Sequence, residues 1–186
     1  EQVDPESIGT AVPLDLNELQ RKALVPVIDA IRKGSHEAFL LFGVTGSGKT
    51  EVYLRAAQEA LKTGKQVLYL VPEIALTAQV IAQLRSRFGK GVAVLHSNLD
   101  QADRLENWLR IREGEAAVVL GARSALFAPI ERLGLIVLDE EHEGSYKQES
   151  APRYHAKRVA IELSRRAGVP IILGSATPSV ESFFEA

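Results

Sequence analysis

Two short segments carry residue types suited to handling phosphate. Gly43-Val44-Thr45-Gly46-Ser47-Gly48-Lys49-Thr50 fits the spacing G-x-x-x-x-G-K-[ST] of a phosphate-binding loop, or P-loop. Glycine-rich backbone there lets N–H groups converge on phosphate oxygens, at a helix N-terminus whose dipole favours anions. Gly43, Thr45, Gly46, Ser47, Gly48, Lys49 and Thr50 are therefore the candidate nucleotide-binding residues. Lys49 is expected to reach the β- and γ-phosphates, and the Thr50 hydroxyl to be a Mg²⁺ ligand. The second segment, Asp139-Glu140-Glu141-His142, follows the apolar run Leu135-Ile136-Val137-Leu138. Carboxylates delivered at the C-terminal end of a buried strand sit where open α/β sheets place ligand sites. Asp139 is expected to hold Mg²⁺, directly or through water, and Glu140 to orient the attacking water or accept its proton. Lys49, Asp139 and Glu140 are thus the candidate catalytic set. The plainer alternatives are a glycine-rich turn before a helix and a solvated acidic turn after a strand. Finding both patterns on one chain argues against each.

A third group mixes aromatics with cations. Tyr146, Lys147, Arg153, Tyr154 and His155 fall in one stretch, a mixture that suits single-stranded nucleic acid, where bases stack on rings and cations meet phosphates. An ordinary surface loop with its tyrosines packed on the domain is the alternative. Arg123 and Ser124 could hydrogen-bond phosphate, although an arginine after a strand is as often a structural ion pair. His96, after the apolar run 92–95, reads equally as a face of the nucleic-acid path or a satisfied structural histidine. Trp108 lies at helical spacing with Leu105 and Leu109, which predicts a core position. Arg85, Arg87 and Lys90 cluster near a helix end, where cations favour the dipole, and are assigned no function.

These residues need a scaffold. Strands are predicted at 38–42, 66–71, 92–95, 116–120, 135–138 and 170–173, several of them unbroken Val/Ile/Leu runs of the kind covered on both faces of a parallel sheet. Helices are predicted at 50–63, 75–88, 101–113 and 156–167, each followed by a glycine (Gly64, Gly89, Gly114, Gly168) able to cap it. A leading helix is predicted from Asp15 and Glu18, a capping-box-like start, and Pro26 should kink or split it. Residues 1–14 read as a linker or extended lead-in, and 140–155 form the longest stretch without a clear element. Strand–helix alternation of this kind predicts a doubly wound α/β domain, mainly parallel, with helices on both faces.

Composition narrows the setting. The 186 residues are 46% hydrophobic and 25% charged, ordinary for a globular α/β domain. No apolar run approaches the roughly 20 residues a bilayer requires, and the N-terminus lacks the features of a signal peptide. With no cysteine there is no disulfide and no thiolate zinc site in this segment; a cytoplasmic setting without membrane contact is expected. The net charge of −2 does not announce a nucleic-acid binder, so DNA contacts would have to be local. The chain contains no methionine and reads as a piece of something longer.

The P-loop and Asp-Glu-Glu-His together resemble motifs I and II of superfamily 2 helicases. Gly174-Ser175-Ala176-Thr177-Pro178 resembles motif III, Val71-Pro72-Glu73-Ile74-Ala75-Leu76-Thr77 motif Ia, and Gly121-Ala122-Arg123-Ser124-Ala125-Leu126-Phe127-Ala128-Pro129 the Ib region. The P-loop with its following Glu-Val-Tyr, the 71–77 segment, and the run from Asp139 through Tyr146-Lys147-Gln148 to Arg153-Tyr154-His155-Ala156 are similar to the PriA family of replication-restart helicases. The resemblance covers 14–186 and implies a RecA-like first motor lobe using ATP and Mg²⁺. It implies that Gln20 reads adenine, that Pro72 lies in the DNA path, and that His142, Ser175 and Thr177 couple nucleotide to DNA. For the intact protein it implies 3′-to-5′ unwinding of single-stranded and forked DNA in primosome assembly. The implied partners are single-stranded DNA-binding protein, primosome loading proteins and a second motor lobe, with zinc elsewhere in the chain. An isolated lobe, lacking the arginine of motif VI, is expected to bind nucleotide with little turnover. Glu141 stands where related helicases usually carry alanine, and two sites depart from the family's own pattern: Pro152, where some members carry tryptophan, and Lys157-Arg158, where Arg-Asp is common. The alternatives are another superfamily 2 translocase, another P-loop NTPase, or a non-enzymatic nucleotide-, DNA- or partner-binding fragment. Signatures of transporter ATPases (Leu-Ser-Gly-Gly-Gln) and of guanine-specific GTPases (Asn-Lys-x-Asp) are missing from the chain.

Overall fold

A computed structural model describes residues 15–178; the lead-in read at 1–14 lies outside them. Helix α1 spans Glu18–Lys33, and its start differs from the sequence expectation. Asn17 is the N-cap and Gln20 the reciprocal partner, so the capping box falls two residues later than Asp15–Glu18. Pro26 lies inside α1 without splitting it. Both Pro26 and Lys22 are exposed, so the Lys22 carbonyl left without a donor can meet water.

The chain continues through β1 (Ala38–Phe42), α2 (Lys49–Lys62), β2 (Gln66–Leu70), α3 (Ala78–Phe88), β3 (Val92–Leu95), α4 (Gln101–Arg112), β4 (Val118–Gly121) and β5 (Leu133–Leu138). A small antiparallel hairpin, β6 (Lys147–Gln148) and β7 (Tyr154–His155), then precedes α5 (Ala156–Ala167) and β8 (Ile171–Ser175). The six-stranded sheet runs β1-β8-β5-β2-β4-β3, every pairing parallel. Side chains alternate across it. Val67 and Tyr69 of β2 join a core with α1, α2 and α3 residues such as Val27, Val52 and Leu84. Leu68 and Leu70 join a second core with Ile111 of α4 and Ala160 of α5. Apolar residues are needed on both faces, which is why these strands lack a polar–apolar alternation.

Among the described residues the six sheet strands and five α-helices fall where the sequence predicts them, the β6–β7 hairpin lies in the stretch read as having no clear element, and several ends differ. β8 continues through Gly174 to Ser175, pairing with Leu41 and Phe42 of β1, although glycine and serine carry little strand preference. α3 begins at Ala78, not 75, because a 3₁₀ turn at Glu73–Ala75 comes first and Thr77 caps the helix. The four glycines expected after helices all have positive φ. Trp108 departs from prediction outright: it is 39% exposed and its neighbour Leu105 59%, because α4 buries only Ile111. Among the described residues no helix is long and apolar enough to cross a membrane.

Candidate active site

The P-loop leaves β1 and turns into α2 at the C-terminal end of the sheet. Gly48 caps α2 in the left-handed region (φ 81°, ψ 23°), where a Cβ would lie 2.3 Å from the Gln20 amide nitrogen. That amide is engaged at both ends: Nε2 donates to the Ser47 carbonyl at 3.0 Å and Oε1 accepts from Asn17 N at 2.9 Å. Gln20 thus ties the start of α1 to the loop. Lys49 Nζ donates to the Gly43 carbonyl at 2.6 Å, which holds its ammonium inside the loop. Ser47 Oγ is buried and has no hydrogen-bond partner among the described residues.

Asp139 arrives on β5. Its Oδ1 accepts from the Tyr53 hydroxyl and from Glu140 N, each at 3.0 Å, while its carbonyl accepts from the Tyr146 hydroxyl at 2.7 Å. Burial pushes its carboxyl above the ordinary range and the Glu140 charge adds to this, with the Tyr53 hydrogen bond and Lys49 opposing. Tyr53 and Tyr146, buried beside Asp139, are held protonated by the same burial and by its charge. Glu140 has φ 47°, left-handed for a residue with a side chain, at a cost of roughly 1–2 kcal/mol. Successive residues of an extended strand point to opposite faces. The turn at Glu140 breaks that alternation, and Asp139 and Glu140 line one cavity.

That cavity, of about 320 Å³, is walled by Thr45 through Glu51 on one side and by Asp139 and Glu140 on the other, with Gln83 of α3 at its edge. The two phosphate-handling segments therefore face each other. Thr50 and Asp139 supply one hydroxyl and one carboxylate, which suits Mg²⁺, a cation usually held by few protein oxygens with the rest from phosphate and water. The unpartnered Ser47 hydroxyl and the open space beside Gly46 fit a phosphate cradle. His142 Nδ1 lies 2.8 Å from Ser175 Oγ, which also accepts from Thr177 N at 3.0 Å. The three residues expected to couple nucleotide to DNA are thus joined. Glu141 turns inward: its side chain is fully buried, 2.9 Å from Lys157 Nζ, so the acid that stands where related helicases carry alanine forms an ion pair with the first residue of the Lys157-Arg158 departure.

The expected nucleic-acid residues divide. Tyr146 is 1% exposed with its hydroxyl on the Asp139 carbonyl, so it offers no ring to a base. Pro72 is buried as well, because the chain turns outward only after it, exposing Glu73 and Ile74. Both placements correct the sequence reading. Arg123 donates to the carbonyls of Ser145 and Lys147 at 2.9 and 2.7 Å and lies 5.9 Å from the Tyr154 ring centroid, tying the Ib segment to the hairpin. Ser124, Lys147 and Arg153 are exposed, and Tyr154 and His155 half-buried. Burial, with Lys157 and Arg158 nearby, lowers the His155 pKa. Lys147, Arg153, Tyr154, His155 and Arg158 line a shallow cavity of about 660 Å³. His96 follows β3, and its Nδ1 accepts from Asn98 N at 3.2 Å.

Sequence reasoning missed three participants. Phe127 is 56% exposed and packs edge-to-face on Tyr154, with ring centroids 5.4 Å apart. Its place in the Ib segment was the available signal. Tyr53 falls three residues after Thr50, one helical turn on, a spacing that puts both on one side of α2. Arg87 pairs with Glu51 at 2.5 Å in the interior, and that partner was invisible without the fold.

Comparison with known proteins shows the family and the fold. The family described as DEAD/DEAH box helicase matches residues 17–185. The chain is 50% identical over 174 residues to the replication restart protein PriA of Bacillus subtilis, covering 94% of this chain and 22% of that protein. It is 54% identical over 166 residues to that of Treponema pallidum, covering 89% and 25%. The chain thus spans about a quarter or less of these relatives' length. In fold it is similar to RecG in a structure bound to a three-way DNA junction (TM-score 0.69, 24% identity, 92% of this chain and 22% of that one). It is also similar to the Hef helicase domain of Pyrococcus furiosus (TM-score 0.60, 23% identity, 90% and 36%).

Proposed function

Because the chain belongs to the DEAD/DEAH box helicase family, we propose that it is the ATP-binding first motor lobe of a PriA-type DNA helicase acting in replication restart. The observation that carries this reading is the shared cavity, with the P-loop on one wall and Asp139 and Glu140 on the other. Helicase domains of this family use ATP and Mg²⁺ in general. In this lobe the loop N–H groups and Lys49 bind the phosphates, and Thr50 and Asp139 would hold the metal, which would supply charge neutralisation to the phosphates. Glu140 orients water and accepts its proton. Little covalent work is asked of the protein; positioning and electrostatics do most of it.

His142, Ser175 and Thr177 link the Glu140 turn to the end of β8, and through them nucleotide state reaches the DNA face. That face comprises Ser124, Phe127, Lys147, Arg153, Tyr154 and His155. Arg123 braces it, and Gln20 braces the nucleotide loop. In the intact protein the lobe works with a second motor lobe in 3′-to-5′ unwinding at forked DNA, alongside single-stranded DNA-binding protein and primosome loading proteins. Alone it binds nucleotide and turns it over little, since an arginine contributed from elsewhere can account for 10³–10⁵ in rate.

The test is ATPase of the full-length protein with and without single-stranded DNA. Replacing Lys49 by Ala is expected to abolish both rates; turnover at the wild-type level would overturn the assignment.

A further inference from the structure

Tyr53 is fully buried in α2, one turn beyond Thr50, and its ring stands edge-on to Tyr69 at 5.9 Å. Its hydroxyl donates to Asp139 Oδ1 at 3.0 Å, and the same oxygen accepts from Glu140 N at 3.0 Å. The hydroxyl occupies a slot that only glycine at 174 leaves open: a Cβ there would lie 1.7 Å from Tyr53 Oη, 2.7 Å from Cζ and 3.0 Å from Asp139 Oδ1. Three segments therefore meet at one carboxylate oxygen: the P-loop helix, the end of β5 and the end of β8.

The consequence is directional. With Oδ1 occupied by two donors, Oδ2 is the oxygen left to face the cavity that Asp139 shares with Thr50. Tyr53 and Thr50 ride on the same rigid helix, so the spacing between the hydroxyl ligand and the carboxylate is set within a single turn. The geometry points to Tyr53 as a positioning residue for the divalent-cation site: its hydroxyl fixes the Asp139 carboxylate so that one oxygen is presented to Mg²⁺ beside Thr50. The inference rests on the proposed nucleotide site. Groups that orient a metal ligand from behind typically change metal affinity 10–100-fold when removed.

The experiment measures equilibrium binding of a fluorescent ATP analogue to the full-length protein, in EDTA and across a Mg²⁺ titration. Tyr53→Phe removes one oxygen and keeps the ring and its contact with Tyr69. In EDTA the variant is expected to bind like wild type. The factor by which Mg²⁺ tightens binding should fall roughly 10-fold or more, with half-saturation moved to higher Mg²⁺. The ratio compares the same folded molecules with and without metal, so a small change in folded fraction does not enter it. An unchanged Mg²⁺ enhancement in Tyr53→Phe overturns the inference. Asp139→Asn separates the two ideas, because it should lose the enhancement altogether. If it keeps the wild-type enhancement, or if wild type shows no enhancement to lose, the proposed site itself fails.

Discussion

At Glu140 the backbone adopts a left-handed conformation that a side chain disfavours, and the fold holds it there between the Asp139 and Glu141 hydrogen bonds. Backbone strain of this kind clusters at active sites, and here it falls on the candidate base itself. Glu140→Gln keeps shape and removes the base. Nucleotide affinity should persist while turnover falls roughly 10²–10⁴-fold, the range general-base contributions span; single-turnover hydrolysis at the wild-type rate would remove Glu140 from the reaction. His155 gives a second residue-level prediction. Burial, then Lys157 and Arg158, lower its pKa from the ordinary 6.5, so the imidazole is neutral near neutral pH. As pH falls through that lowered value His155 gains charge and should tighten DNA binding. Wild type and His155→Gln should therefore differ in the slope of DNA affinity only below the usual histidine range. Curves that separate at about pH 7 would contradict the neutral assignment.

The hairpin β6–β7 and helix α5 are held to the nucleotide site by interior contacts rather than surface ones. Tyr146 reaches the Asp139 carbonyl, and Lys157 at the start of α5 meets the buried Glu141. Removing one partner of a buried pair weakens the compensation of the charge that stays, at a cost of up to roughly 3–5 kcal/mol. Lys157→Met should therefore lower Tm markedly, and Lys157→Arg, which keeps the charge, should recover most of the loss. Equal Tm for Lys157→Met and wild type would show that the pair does not hold α5. The two tyrosines of this segment should separate by phenotype. Tyr146→Phe should lose about 1 kcal/mol of stability with DNA affinity unchanged. Tyr154→Ala and Phe127→Ala should weaken single-stranded DNA binding by roughly 1–3 kcal/mol per stacked base. DNA affinity that falls with Tyr146→Phe, and not with the other two, would reverse this division.

Across the whole lobe, a parallel sheet with a core on each face brings its strand ends, and so its chemistry, to one edge. The P-loop after β1, Asp139 after β5 and Ser175 in β8 lie on three adjacent strands, since the order begins β1-β8-β5. Ladder contacts therefore set their mutual distances, and thermal stability and nucleotide-site geometry share one scaffold. The proposed nucleic-acid face lies on the connections that follow β4 and β5. The chain's net charge of −2 means that any DNA grip comes from Lys147, Arg153 and their neighbours rather than from a general field.

The order of the sheet strands and helices, the class of fold and the two segments that come to share one cavity were legible in the chain itself. Periodicity marks strands covered on both faces, and the P-loop and acidic run are contiguous motifs whose residue types state their chemistry. Helix ends were less legible, because caps such as Asn17 with Gln20 compete with neighbouring candidates at similar spacing. What only the tertiary structure decided are relations between distant segments. Tyr146 and Pro72 turn inward, Trp108 outward, Glu141 finds Lys157, and Tyr53 and Gly174 meet at Asp139. A side chain's residue type gives its possible partners. Which partner it takes depends on the strand order and helix packing that bring remote residues within a few ångströms, and no local pattern encodes that.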